Sequence, residues 1–200
     1  MITTEELRSH FAAGIAYDQY VSKGTPDQQS NWSNTYNRVQ LSPEQLAVTS
    51  GFVRRINVLV SSGLWCGDCA HQCPMLAKIA IASQNAVSKT NHSVGGVDLR
   101  FLDRDARPDF RDTFKICSGT RVPTVVFMAE DCEFIGVLGD KTLSRLRAKA
   151  AKALGASCPV PGAELPQDEL NATLQDWVNE FERTHLTLRL STRLRTKHDD

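Results

Sequence analysis

Trp65-Cys66-Gly67-Asp68-Cys69 is the stretch on which the reading of this chain turns. Upstream lies an apolar run with Ile56, Val58, Leu59 and Val60, and Pro74 follows Cys69 by five residues. That pattern predicts a strand giving way to a helix at the first cysteine. Two thiols at this spacing can close a disulfide across one helical turn and open it again. Cys66 is expected at the first helical turn, where unpaired backbone N–H groups and the macrodipole favour an anion. The thiolate is the reactive form of cysteine, so this position selects for redox chemistry and is expected to lower the Cys66 pKa.

Working outward, the chain has 200 residues, which suits a core of about 100 residues with extensions. Acidic and basic residues balance at 23 each, so no global charge recruits nucleic acid or an anionic membrane. No apolar run approaches the roughly 20 residues that a spanning helix needs. The N-terminus, Met-Ile-Thr-Thr-Glu-Glu, has neither the basic region nor the apolar stretch of a signal peptide, so a cytoplasmic protein is expected. The cysteines Cys66, Cys69, Cys73, Cys117, Cys132 and Cys158 are sparse for a disulfide framework. Reduced thiols with one catalytic pair fit a reducing compartment.

Residues 1–51 read as a helical extension. Thr3 with Glu6 makes a capping box, and Leu7, Phe11 and Ile15 mark one apolar stripe. Gly24-Thr25-Pro26-Asp27 breaks that helix, Trp32 and Tyr36 recur at helical spacing, and Ser42-Pro43-Glu44-Gln45 starts a further helix. Over 52–155 short apolar runs alternate with helices. Strands are expected at Ile56–Ser61, Val97–Leu102, Thr124–Met128 and Phe134–Val137, the last two as a hairpin around Ala129–Cys132. Helices are expected from Cys66 to about Ser88, Pro108–Cys117 and Thr142–Leu154, the last ended by Gly155. The order βαβα then ββα indicates an α/β fold with a mixed sheet flanked by helices.

Residues 156–200 open with a stiff linker containing Pro159, Pro161, Gly162 and Pro166. Leu170, Leu174, Trp177, Val178 and Phe181 then form one helical face that must dock, most cheaply on the chain's own core. The basic tail with Arg183, Arg189, Arg193, Arg195 and Lys197 can bind phosphates or acidic partners, but reads more simply as a solvated, partly frayed terminus.

The strand-to-helix setting of the cysteines, Pro74 and the later Val122-Pro123-Thr124 together resemble the thioredoxin family, over about residues 52–155. Gly119-Thr120-Arg121-Val122-Pro123-Thr124 looks like that family's cis-proline loop, the alternative being a plain strand-entry proline. The resemblance implies a thioredoxin-like fold with additional N- and C-terminal helices. It also implies a thiol–disulfide oxidoreductase in which Cys66 is the nucleophile and Cys69 resolves the mixed disulfide. Trp65, Gly67, Val122, Pro123 and Gly139 would then make the substrate-binding surface, with Trp65 covering the sulfurs and Val122 offering backbone groups. The partners implied are disulfide-containing proteins and an electron donor, either thioredoxin-reductase-like or a low-molecular-weight thiol, with no cofactor.

Two departures from the family stand out. The family's buried aspartate and its lysine partner align with Val60 and Phe101, both apolar. Asp68 is therefore the nearest candidate carboxylate, and two roles stay open for it, proton transfer from Cys69 or stabilisation of the helix start. Its charge near Cys66 disfavours a second anion. Cys73 and His71 raise the question of a metal, but Cys73 reads as a small buried residue and no metal site is expected. His71 reads as a solvated residue, Asp103–Arg107 as a solvated loop, and Cys132 as an isolated buried cysteine whose place in a turn could alternatively leave it exposed and oxidisable. Cys117 and Cys158 read, like Cys73, as isolated buried cysteines. The rival reading is a thioredoxin-fold binding or scaffold module with little redox turnover.

Overall fold

The structure is a computed structural model that describes residues 2–87, 95–154 and 167–200. Gly155, Cys158 and the linker residues Pro159, Pro161, Gly162 and Pro166 lie outside the described residues. Strands β1 (Arg55–Ser62), β2 (Gly96–Asp103), β3 (Thr124–Met128) and β4 (Phe134–Gly139) form one mixed sheet in the order β2-β1-β3-β4. β1 runs parallel to β2 and antiparallel to β3, and β3 pairs antiparallel with β4. The α/β thioredoxin-like architecture expected from the sequence is the one observed.

Alternation along the strands sorts the core into two faces. Val58 and Val60 of β1, Leu99 and Phe101 of β2 and Val125 and Phe127 of β3 enter the larger cluster. Leu59, Leu102, Val126 and Met128 point to a smaller one. The larger face is covered by α5 (Gly67–Val87) together with helices from both ends of the chain. From the N-terminal side come α2 (Tyr17–Val21), α3 (Pro26–Arg38) and α4 (Pro43–Ser50). From the C-terminal side comes α8 (Gln167–Leu190), whose Leu170, Leu174, Trp177, Val178 and Phe181 are all buried. The capping boxes at Thr3/Glu6 and Ser42/Gln45 form as read, and Thr25/Gln28 makes a third. The smaller face is covered by α1 (Thr4–Ala13) and α6 (Pro108–Thr113), which bring Leu7 and Phe110.

Leu7, Phe11 and Ile15 do not form one stripe. Helix α1 ends at Ala13, and Ile15 instead bridges Phe101 on the edge strand β2. Gly14 explains the break: a Cβ there would meet Arg100 Cβ at 2.7 Å, so only glycine lets the chain pass this close to the edge. The crossing carries α1 to one face and α2 to the other. Helix α6 also stops short, at Thr113 rather than Cys117. Cys117 (φ 48°) and Ser118 (φ 61°) form a left-handed turn closed by reciprocal Ile116–Gly119 hydrogen bonds, and Cys117 is exposed rather than buried.

The C-terminal tail is not frayed. Its last segment forms α9 (Thr192–His198), with Leu194 buried. Arg193 pairs with Asp131, Lys197 with Glu130 at 2.5 Å, and Arg54 with Asp200. Arg193 and Lys197 thus meet the acidic turn between β3 and β4 of their own chain. Cys132 in that turn is buried, with Asn57 Nδ2 3.7 Å from its sulfur, which fits the buried-cysteine reading and not the exposed alternative. Helix α7 (Leu143–Leu154) completes the fold beside α8.

Candidate functional site

Cys66 occupies the N-cap position of α5, its carbonyl accepting from Ala70 N–H at 3.0 Å. This follows from local chemistry. β1 ends at Ser62, Leu64 and Trp65 turn the chain, and Gly67 begins a helix that carries Pro74 in its interior. Cys66 is half-buried and Cys69, one turn on, is fully buried. Both thiols are free.

The Val122–Pro123 peptide is cis, as the cis-proline reading expects. Its loop stands against the helix start, and the Cys66 thiol donates to Val122 O at 3.7 Å. Gly139 closes the same corner from β4, opposite Thr124 in the ladder. A Cβ on Gly139 would lie 2.3 Å from Pro123 O, so a side chain there is sterically excluded. Cys66, Cys69, Val122, Pro123 and Gly139 therefore converge. At Gly67 a Cβ would meet nothing within 4 Å, so the first turn of α5 presents open backbone beside Cys66. Trp65 is 55% exposed. Its ring packs on Gly63 and under Arg104, whose guanidinium lies 4.7 Å from the ring centroid. Its contacts are thus with Gly63 and Arg104, the latter drawn out of the loop read as solvated.

The electrostatics differ from expectation. The Cys66 thiol is pushed up rather than down by its hydrogen bond to Cys69, by burial and by the charge on Asp68. The Cys69 backbone N–H, which lowers it, does not outweigh these. Burial pushes the Cys69 thiol well up. Val60 and Phe101 are both fully buried and pair directly in the β1–β2 register, so this spot is apolar.

Asp68 sits in a cluster of cations that motif reading alone does not find. Its carboxylate accepts from Arg145 at 2.5 Å and pairs with Lys141 Nζ at 2.9 Å. Burial pushes Asp68 up, yet Lys141 and Arg145 outweigh it and hold the carboxyl below the ordinary aspartate range. A carboxylate so paired is a poor proton acceptor, which favours the helix-start role. Lys141 also reaches Asp140 at 2.5 Å, and buried Gln72 donates to Asp140 O at 2.9 Å. The network thus clamps the start of α5 to the segment after Gly139. The only sequence signal for it is the i,i+4 spacing of Lys141 and Arg145.

His71 is half-buried rather than solvated, and burial disfavours its charged form. Cys73 is fully buried, with its sulfur 3.7 Å from Ser62 Oγ. Among the described residues no group of three or more His, Cys, Asp or Glu side chains could hold a metal ion. Among them also, no helix is long and apolar enough to cross a membrane.

Comparison with known proteins agrees with this fold. Residues 14–145 match the model of a family described as thioredoxin, a span that takes in α2 to α4 as well as the sheet. A crystal structure of a protein of unknown function from Pseudomonas aeruginosa superposes with a TM-score of 0.64 at 18% identity. That match covers 91% of this chain and 98% of the other. A crystallised HIV epitope scaffold superposes with a TM-score of 0.55 at 16% identity, covering 89% and 92% of the two chains. No curated protein matches the sequence.

Proposed function

Because this chain belongs to the thioredoxin family, we propose that it is a thiol–disulfide oxidoreductase that reduces protein disulfides through Cys66 and Cys69. The observation that carries this reading is the half-exposed Cys66 at the helix N-cap, 3.7 Å from the Val122 carbonyl, with Cys69 buried one turn behind. The Cys66 thiolate attacks a substrate disulfide, forming a mixed disulfide and releasing one substrate thiol. Cys69 then attacks Cys66 Sγ, the Cys66–Cys69 bond forms, and the second substrate sulfur leaves with the electron pair and takes up a proton. A thioredoxin-reductase-like enzyme or a low-molecular-weight thiol returns the two electrons. Val122, Pro123, Gly139, Gly67 and Trp65 frame the groove for the substrate chain. Asp68 serves to hold the start of α5. The sparse cysteines accord with a reducing, cytoplasmic setting.

Turnover of insulin disulfides with a small thiol as donor tests the reading, and Cys69→Ser is expected to trap protein substrates as mixed disulfides on Cys66. No turnover by a protein with both thiols titratable refutes it. That result favours a scaffold module, a reading that draws on the raised Cys66 thiol.

A further inference from the structure

Behind Cys69 lies a group of buried hydroxyls and thiols that the exchange above does not use. Ser62, the last residue of β1, is fully buried, with Oγ 3.7 Å from Cys73 Sγ. Cys73 stands one turn beyond Cys69 on the same helix face. Tyr20 enters from α2, only 1% exposed, and its hydroxyl has no hydrogen-bond partner. The ring is fixed by stacking on Phe101 at 5.3 Å and by Trp32 at 5.7 Å. Burying a hydroxyl without a partner is costly, and a phenylalanine would avoid the cost. Ser62, Cys69, Cys73 and, at the end of β2, Asp103 act electrostatically on this hydroxyl. Tyr17 of α2 faces Cys73 in turn, while Asp68, Lys141 and Arg145 lie toward Cys66.

We propose that Ser62 hydrogen-bonds the Cys69 thiolate during resolution of the mixed disulfide, with Tyr20 acting through Ser62 as a positioning residue. The inference rests on the dithiol reading above. Val60 and Phe101 are apolar, so stabilisation of the sulfur anion falls to neutral donors. The Ser62 O–H donates to Cys69 Sγ, and its lone pairs then accept the Tyr20 O–H that is otherwise unpartnered. Neither hydroxyl gives up its proton. The Cys69 proton goes to water, the Cys66–Cys69 bond forms as the Cys66–substrate bond breaks, and the leaving sulfur takes a proton from water. Burial keeps Tyr20 a donor across the whole working pH range.

Because the exposed Cys117 would also react, stopped-flow reaction with Ellman's reagent is run on the reduced protein in a Cys117→Ser, Cys158→Ser background, where it separates the two steps. The first thionitrobenzoate reports attack by Cys66 and the second reports resolution by Cys69. Ser62→Ala is expected to slow the second phase about tenfold, as loss of one hydrogen bond to an anion implies, and to raise its pH midpoint by about one unit. The first phase stays unchanged. Tyr20→Phe is expected to slow the second phase less while raising Tm, and adding it to Ser62→Ala gives no further slowing. Wild-type second phases in both variants, or equal slowing of both phases, overturns the proposal. If Ser62→Ala does not fold, Tyr20→Phe decides alone. A Cys117→Ser, Cys158→Ser protein with native Ser62 and Tyr20 that releases a single equivalent instead refutes the dithiol reading, and the inference falls with it.

Discussion

Adding one methyl group at Gly139 is the most searching perturbation that the site geometry offers. The new Cβ of Gly139→Ala would meet Pro123 O at 2.3 Å, Thr124 Cα at 3.0 Å and Ile116 Cδ1 at 3.3 Å. The two nearest atoms are backbone, so no side chain can swing aside. Carbon–oxygen contacts ordinarily begin near about 3.3 Å, so β4 and the Val122–Pro123 loop must part by about 1 Å. Overpacking of this kind costs roughly 1–3 kcal/mol, which for a chain of this length lowers Tm by roughly 2–12 °C. The functional effect is larger, because Val122 O is the group that stands beside Cys66 Sγ. A misplacement of about 1 Å at a reacting group costs on the order of 10²-fold, so insulin reduction is expected to fall by about ten- to a hundredfold. Alkylation of Cys66 by iodoacetamide, which needs no substrate groove, stays within about twofold of wild type on the same argument. A variant with wild-type Tm and wild-type insulin turnover refutes the idea that this corner is sterically set.

Asp68→Asn leaves Lys141 and Arg145 short of a carboxylate and is expected to cost about 3 kcal/mol at neutral pH, the low end for a broken buried pair because Asp140 and Glu169 remain. The folded Asp68 is held below its ordinary value of 3.8, so this stability is present above that pH and is lost as pH falls through the folded value. Denaturant titrations at pH 7 and pH 3 check it, and an equal difference at both refutes it. His185 accepts from Arg54 N–H at 3.4 Å, and burial lowers it to about 4. The unfolded chain therefore takes up a proton first, stability falls as pH drops from 6.5 to about 4, and His185→Gln flattens that slope by up to about 1.4 kcal/mol per pH unit. Leu194→Ala is expected to cost about 2–4 kcal/mol by calorimetry, a loss that a frayed tail would not show.

Legibility in the sequence followed the range of the interaction. β3 could be read to the residue, because a five-residue apolar run bounded by Pro123 and a turn has one plausible register. The capping boxes at Thr3 and Ser42 were equally plain, since all their partners lie within three residues. The break after α1 was not visible, because it depends on the passage of Gly14 over Arg100, 86 positions away. The turn at Cys117 and Ser118 carries no glycine or asparagine at its left-handed positions, so nothing marked the early end of α6. At the site, the dithiol and Pro123 are motifs and could be found locally. Asp68 belongs to the motif too, but its partners are Lys141, in the segment after β4, and Arg145 on α7, both remote in sequence, and so its two candidate roles stayed open. Ser62 and Tyr20 had no signal at all, since a serine at a strand end and a tyrosine in a short helix are ordinary.

The docking of α8 across the sheet has a consequence for how the protein is made. Phe181 sets its ring edge-on against Phe127 of β3 at 5.3 Å, and Trp177 beside it is fully buried. That face of β3 stays uncovered until residue 181 has left the ribosome, more than a hundred residues after the Cys66–Cys69 pair. At about 5–20 residues per second, the nascent chain displays both thiols beside an unfinished core for on the order of ten seconds. During translation the dithiol is thus open to cellular oxidants before the helices that stabilise its surroundings exist.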